Sequence, residues 1–205
     1  MSVIGVVVCG IAVGFFKYAA FGVDPYQSLM AGLDALIPFD FGAVYAVMTA
    51  LCLAFALIFD RHYIGLATFI NLFFLGYIAQ YTQTAITVLF PSMGIAGRIL
   101  CLIIGILMLC VSSAFYMTSD LGVSSYDAIS LIISKTWHKG QFKFVRIISD
   151  LICVVLGAVA YYIATGSFSG VFSIIGVGTI LTAFFMGPLV DYFNRTLAEP
   201  FLNRN

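Results

Sequence analysis

The chain of 205 residues predicts an all-α polytopic membrane protein built from two internal repeats, and three observations carry that prediction. The first is composition: 62% of residues are hydrophobic and 9% are charged, whereas soluble domains carry roughly 25% charged residues. The second is run length, because apolar stretches recur near the length of about 20 residues that a helical crossing of a roughly 30 Å hydrocarbon core requires. The third is self-similarity. Gly22-Val23-Asp24-Pro25-Tyr26 returns as Gly122-Val123-Ser124-Ser125-Tyr126, and the same offset of 100 pairs Gly5 with Gly105 and Phe15 with Phe115. Phe41, Val44 and Cys52 meet Phe142, Val145 and Cys153 at an offset of 101. Gly65, Thr68, Phe73, Phe74, Gly76 and Tyr81 meet Gly176, Thr179, Phe184, Phe185, Gly187 and Tyr192 at 111. Matches in one order with two small shifts point to duplication, a common plan of transporters whose working site lies where the halves meet. The expected organisation is a single membrane domain over 1–205, with repeats at 1–91 and 92–205.

The elements follow in order. An apolar helix covers about residues 2 to 21 and ends at Gly22. It begins with no basic segment before it and aligns with the internal run 102 to 122, so it reads as a permanent helix and not as a signal peptide. A short helix then runs from Pro25 to Ile37, opened by Asp24 and closed by Pro38. Asp24-Pro25-x-Gln27 combines a capping acceptor, a proline at the first helical position and a Gln three residues past the cap. A second long run extends from Gly42 to Phe59 and meets the polar triplet Asp60-Arg61-His62, and a third goes from Ile64 to about Leu89 before Pro91. The second half repeats the plan near 98–118, 125–137, 142–164 and 174–193, with Gly187-Pro188 set to kink the last helix. None of these runs has the period-two alternation of a membrane barrel strand.

The short segments decide the topology. Thirteen residues at 1.5 Å each make a helix of roughly 20 Å, too short to cross the core unaided. Each repeat therefore reads as three crossings plus one half-helix, and an odd number inverts the second repeat relative to the first. Six crossings with both termini cytoplasmic put Arg61, Lys135, Lys139, Lys143, Arg195 and Arg204 inside, with Lys17 and Arg98 on or near the other face. Eight crossings with parallel repeats exchange Arg61 for Arg98 and satisfy the charge rule equally, so that alternative stays open.

Several function classes find no support in the sequence. No basic patch suggests nucleic acid, and no metalloprotease, nucleophile-elbow or nucleotide-binding motif is present, so the chain is not expected to be an enzyme. Cys9, Cys52, Cys101, Cys110 and Cys153 all lie in apolar runs without metal-ligand spacing and read as buried free thiols. No cofactor and no metal site are expected.

The candidate site residues are Asp24, Tyr26, Ser124, Asp127, Arg146 and Asp150. A short helix starting inside a membrane protein aims free N–H groups at whatever faces it, so Asp24-Pro25-Tyr26 and the copy Ser124-Ser125-x-Asp127 are candidate ligand entrances, or simply caps. Arg146 and Asp150 stand four apart on one face of an apolar helix and can neutralise each other. Charges at membrane depth usually face a cavity or a partner, although a pair that only fixes orientation fits as well. Tyr45 and Thr49 occupy the matching positions of the first repeat, so the charges break the symmetry. Lys17 reads as snorkelling to the interface, and Asp120 as a loop or pocket residue. Gly65, Thr68, Asn71 and Gly76, with Gly176, Thr179, Thr182 and Gly187, read chiefly as a small-residue packing face.

Ala20-Phe21-Gly22-Val23-Asp24-Pro25-Tyr26, then Phe41-Gly42, then Gly176-Val177-Gly178-Thr179 and Phe185-Met186-Gly187-Pro188-Leu189, resemble the YczE/YyaS/YitT group of bacterial membrane proteins over nearly the whole chain. The resemblance implies a small multi-pass protein of the bacterial inner membrane and transfers no catalytic or binding residues. This chain has Gly122-Val123-Ser124-Ser125 where that group often carries a second Gly-Pro signature. The function expected from the architecture is transport of a small solute between the repeats. Two alternatives are a substrate-binding subunit energised by a separate ATPase, and a non-transporting partner of another membrane protein. Membrane lipid, a small solute and a second copy or another membrane protein are the expected partners.

Overall fold

The computed structural model describes residues 2–22, 24–37, 41–118 and 122–202. Val23, Pro38, Asp120 and Arg204, which enter the sequence reading, lie outside the described residues. Those described are nearly all helical, with no strand among them. The helices are α1 (Ser2–Ala19), α2 (Pro25–Leu36), α3 (Phe41–Phe59), α4 (Leu66–Leu89), α5 (Ile95–Thr118), α6 (Ser125–Leu131), α7 (Phe142–Thr165), α8 (Phe168–Ile174), α9 (Val177–Phe193) and α10 (Glu199–Leu202). A 3₁₀ turn, Arg61–Tyr63, precedes α4, and π-helical turns at Ile132–Thr136 and Asn194–Ala198 extend α6 and α9. Among the described residues α4, α5 and α7 are long and apolar enough to cross a membrane, and shorter apolar helices cover Ile4–Ala19 and Val44–Phe59.

Two boundaries differ from the sequence reading. Helix α5 begins at Ile95, three residues ahead of the run expected near 98–118, so Arg98 lies in its first turn. The last run, expected near 174–193, begins at Val177, and the short α8 precedes it across Ile175-Gly176. The first half has no counterpart of α8, and α7 has 24 residues against 19 in α3. Those added residues account for the step from 101 to 111 in the repeat offset.

The chain divides into two compact units, and each draws on both halves of the sequence. The first comprises Met1–Ala20, His62–Ser124 and Pro188–Asn205. In it α1 lies against α4 and α5 through glycines that let backbones approach closely. A Cβ on Gly10 would fall 2.7 Å from Ile78 and one on Gly14 2.5 Å from Thr82, so α1 and α4 ascend together. A Cβ on Gly5 would meet Tyr116 at 3.4 Å, while one on Gly105 would meet the Ala12 carbonyl at 3.1 Å. Low numbers on α1 thus face high numbers on α5, and the two helices run antiparallel. The free carbonyls at the end of α1 are met by Arg98, whose Nε donates to Ala19 O at 2.9 Å and whose Nη2 donates to Ala20 O at 3.2 Å. Tyr18 donates its hydroxyl to Phe90 O at 2.6 Å, beside the end of α4.

The second unit comprises Phe21–Arg61 and Ser125–Gly187. Here α2 crosses α7 with Gly32 against Gly157: a Cβ on Gly32 would lie 2.2 Å from Gly157 O, and one on Gly157 would lie 2.5 Å from Ser28 O. Helix α3 packs on α6. Leu29, Met30, Val44 and Cys153 form a buried apolar cluster, with Tyr26, Tyr45 and Tyr126 packed against it.

A matched device occurs once in each unit. Gly22, at φ +110°, sits against Gly176, where a Cβ would meet the Gly176 nitrogen at 2.5 Å. Gly122, at φ +97°, sits against Gly65 in the same way, at 2.3 Å. Only glycine accommodates both the positive φ and the contact. The Gly178 N–H donates to Phe21 O at 2.8 Å, and the Val123 N–H to Tyr63 O at 2.9 Å. The packing face expected on the third helix of each half holds for the buried Thr68, Thr179 and Thr182. It does not extend to Gly76, which has nothing within 4 Å of a Cβ position because it lies on the outer face of α4.

Candidate functional site

The site lies within the second unit and grows from the starts of its two short helices. Asp24 caps α2, accepting the Gln27 N–H on Oδ1 at 3.1 Å, and Pro25 occupies the first helical position, where no N–H is needed. This places Tyr26 in the first turn. Tyr126 holds the equivalent place in α6, and the two rings stack with centroids 4.8 Å apart and planes inclined by 27°.

Each tyrosine then reaches one long helix. The Tyr26 hydroxyl lies 3.3 Å from Thr49 Oγ1 and 4.0 Å from Cys52 Sγ on α3. The Tyr126 hydroxyl donates to Asp150 Oδ1 at 2.6 Å and lies 3.6 Å from Cys153 Sγ on α7. The outer faces differ more. Tyr45 meets Tyr26 edge-on at 6.0 Å, whereas the Arg146 guanidinium lies over the Tyr126 ring, 4.5 Å from its centroid. Position for position the environments correspond, but one is neutral and the other carries charge.

Arg146 organises the charged side. Its Nε donates to Asp150 Oδ2 at 3.1 Å, its Nη1 bonds Asp127 Oδ1 on α6, and its Nη2 lies 3.9 Å from Met186 Sδ on α9. The guanidinium fork suits this task because it presents several donors in a fixed plane and stacks on an aromatic face while doing so. Asp150 is fully buried, and Arg146 and Asp127 are nearly so. One guanidinium is thus shared by two carboxyl groups. In a low-dielectric interior, attraction offsets the cost of desolvating such groups only when each is paired and hydrogen-bonded, as they are here. The α7 sequence supplies the geometry, since Arg146, Asp150, Cys153, Gly157 and Ala160 form one buried stripe at spacings of three and four.

Of the six residues expected at the site, Tyr26, Asp127, Arg146 and Asp150 meet in this cluster or stack against it, and Asp24 caps the helix that carries Tyr26. Ser124 belongs to the first unit, where it is half-buried beside Val123, whose carbonyl accepts the Thr68 hydroxyl at 2.6 Å. Tyr126 is the main residue that the sequence reading left out of the site, together with Cys153 beside it and Tyr45 and Thr49 beside Tyr26. The signal was present: Tyr126 is the copy of Tyr26 at offset 100, and Thr49 and Cys52 are the copies of Asp150 and Cys153 at 101. All five cysteines are buried, and none of them forms a disulfide.

An almost wholly helical chain with long apolar helices and a buried charged centre beside a pair of stacked tyrosines is a protein of the helical membrane type. Within that class the chain belongs to the family described as "Family of unknown function (DUF6198)", whose profile matches residues 1–195. It is similar to an "Uncharacterized protein" of Haemophilus influenzae (strain Rd), 25% identical over 193 residues that cover 94% of this chain and 81% of that relative. It is also similar to "Uncharacterized protein YyaS" of Bacillus subtilis (strain 168), 22% identical over 202 residues, covering 98% and 94% of the two chains. Both relatives are bacterial, and the second belongs to the group whose motifs the sequence resembles. No solved structure matches the chain.

Proposed function

We propose that the protein is a small-solute transporter of the bacterial inner membrane, with its site at the Tyr26–Tyr126 stack. The observation that carries this reading is the matched pair of tyrosine environments of which one alone is charged, through Arg146, Asp127 and Asp150. A buried charged network is expensive in a membrane protein and generally marks a solute or ion pathway. Its two carboxyl groups to one guanidinium favour a solute or coupling ion of positive charge, which tyrosine faces also attract.

The reading takes the two halves as inverted repeats and the chain as six crossings, α1, α3, α4, α5, α7 and α9, with α2 and α6 as half-helices and both termini cytoplasmic. Three orientations support it. The antiparallel α1 and α5 suit inverted repeats, where parallel repeats would make them parallel. The parallel α1 and α4 fit a single crossing, α3, between them, as expected when α2 is a half-helix. The Thr136 hydroxyl donates to Asp60 Oδ2 at 2.6 Å, whereas eight crossings would separate those positions by roughly 30 Å.

The test is flux of radiolabelled cationic and neutral metabolites into proteoliposomes of the purified chain, alongside thermal shift with the same panel. Uptake and stabilisation by a cationic solute, both lost in Tyr126→Phe/Asp150→Asn, is the expected result. Uptake by the lone chain would also exclude dependence on an ATPase. No flux and no ligand-dependent shift across the panel would overturn the proposal.

A further inference from the structure

Beyond that site, the loop before α7 carries a second assembly with a chemistry of its own. The stretch between Asp127 and Asp150 contains no acidic residue, yet it holds Lys135, Lys139 and Lys143 at intervals of four, with His138 among them. The backbone closes this loop tightly. The Trp137 N–H donates to Ile132 O at 2.8 Å and the Lys139 N–H to Ile133 O at 3.0 Å, while His138 and Gly140 take positive φ, 53° and 90°.

Trp137 is the sole tryptophan of the chain, and its ring packs edge-on against Phe59 at 5.1 Å and Phe55 at 5.9 Å. It remains 38% exposed, next to the exposed Phe59. The lysine ammoniums lie over aromatic rings: Lys139 Nζ is 5.6 Å from the centre of Trp137, and Lys143 Nζ is 5.1 Å from that of Phe144. The acid packed against this loop is Asp60 at the end of α3, and it accepts the Thr136 hydroxyl. Among the described residues Lys135, Lys139 and Lys143 form no ion pair with a carboxylate.

From this arrangement we infer that the loop of residues 135–143 is a docking site for the headgroup of an anionic phospholipid. Tryptophan belongs at the level where headgroups meet acyl chains, and this one stands five residues before a helix apolar enough to cross a membrane. Lys139 and Lys143, whose ammoniums lie over exposed aromatic rings, hold their charge beside apolar surface, the geometry a phosphate attached to acyl chains needs and a fully hydrated acidic peptide does not. In the six-crossing arrangement the loop faces the cytoplasmic leaflet, where basic segments meet anionic lipid.

Because Trp137 is the only tryptophan, its fluorescence reports this loop directly. The full-length chain is placed in nanodiscs of phosphatidylcholine containing a minor fraction of phosphatidylglycerol, with bromine on the acyl chains of one lipid at a time. Bromine on the phosphatidylglycerol should quench Trp137 well beyond its mole fraction. Lys135→Gln/Lys139→Gln/Lys143→Gln should remove the preference, with about fivefold loss of selectivity per lysine, and the corresponding triple arginine variant should keep it. Raising salt on the wild-type protein should weaken the preference without any substitution, which guards against a variant that fails to fold. Quenching in proportion to mole fraction in the wild type would overturn the proposal. So would equal competition by soluble glycerol phosphate, which would mark a site for free phosphate, or loss of the lipid preference to an acidic peptide, which would mark a protein partner.

Discussion

Replacing Arg146 with Met removes the one cation shared by Asp127 and Asp150 and leaves both carboxylates where they are. The Arg146 side chain is 8% exposed, against 4% for Asp127 and 0% for Asp150, so water cannot take its place. Breaking a buried pair by removing one partner costs about 3–5 kcal/mol, because the stranded charge keeps its desolvation penalty without the compensating attraction. The loss should therefore fall near that range, with Tyr126 still donating to Asp150 and softening it. Neutralising the whole cluster as Arg146→Met/Asp127→Asn/Asp150→Asn should bring stability back to within about 1 kcal/mol of the wild type, since no uncompensated charge remains. Unfolding measured by thermal scan and by denaturant titration in the same detergent gives both comparisons. If the single variant matched the wild type, the network would not be paired as described. If the triple variant were as unstable as the single one, packing and not charge would explain the loss. Solute uptake by the stable triple variant would dissociate the cluster from transport.

Other outcomes follow from single contacts. Gly32→Ala should destabilise by about 1–3 kcal/mol, as the new Cβ meets the Gly157 carbonyl on α7; Gly76→Ala, in open space, should be neutral or stabilise by up to about 1 kcal/mol in the same melts. Tyr126→Phe should cost about 1.5–3 kcal/mol through a hydrogen bond to a charged group, and Tyr26→Phe about 0.5–1.5 kcal/mol through a neutral one, so the two unfolding curves should separate in that order. Arg98→Gln should lose about 1 kcal/mol with the cap at the end of α1, a loss that Arg98→Lys should partly restore. In a background with the native cysteines replaced by alanine, His62→Cys should react with impermeant thiol reagent from the cytoplasmic side and Ser92→Cys from the other; eight crossings would reverse both.

Much of this was legible in local sequence. Asp24-Pro25-x-Gln27 specifies a helix start through groups within one turn of each other, and α2 starts there. The offset of 100 matched the two entrances, and the i, i+4 spacing of Arg146 and Asp150 placed them on one face. What escaped notice depended on contacts distant in the chain. Asp127 lies 19 residues from Arg146, and its part as the second carboxylate needs α6 to lie against α7. Arg98 entered only as a charge on or near one membrane face, because its role is set by carbonyls 78 and 79 residues away. Ser124 resembled Asp24 in sequence but belongs to the other unit.

The sequence alone determined what short-range forces govern: helical elements of given length, their apolar character and the glycines reserved for close approach. Only the tertiary structure decided which partners those elements meet. Strings of apolar residues pack acceptably in many registers and directions, so nothing local chooses between a parallel and an antiparallel α5. The choice appears where Gly5 meets Tyr116, where Tyr126 stacks on Tyr26, and where one arginine is shared by two aspartates. The reason is physical: burial is non-directional, while close backbone contact and the pairing of buried charge are directional, and these are satisfied only when distant segments are already in place.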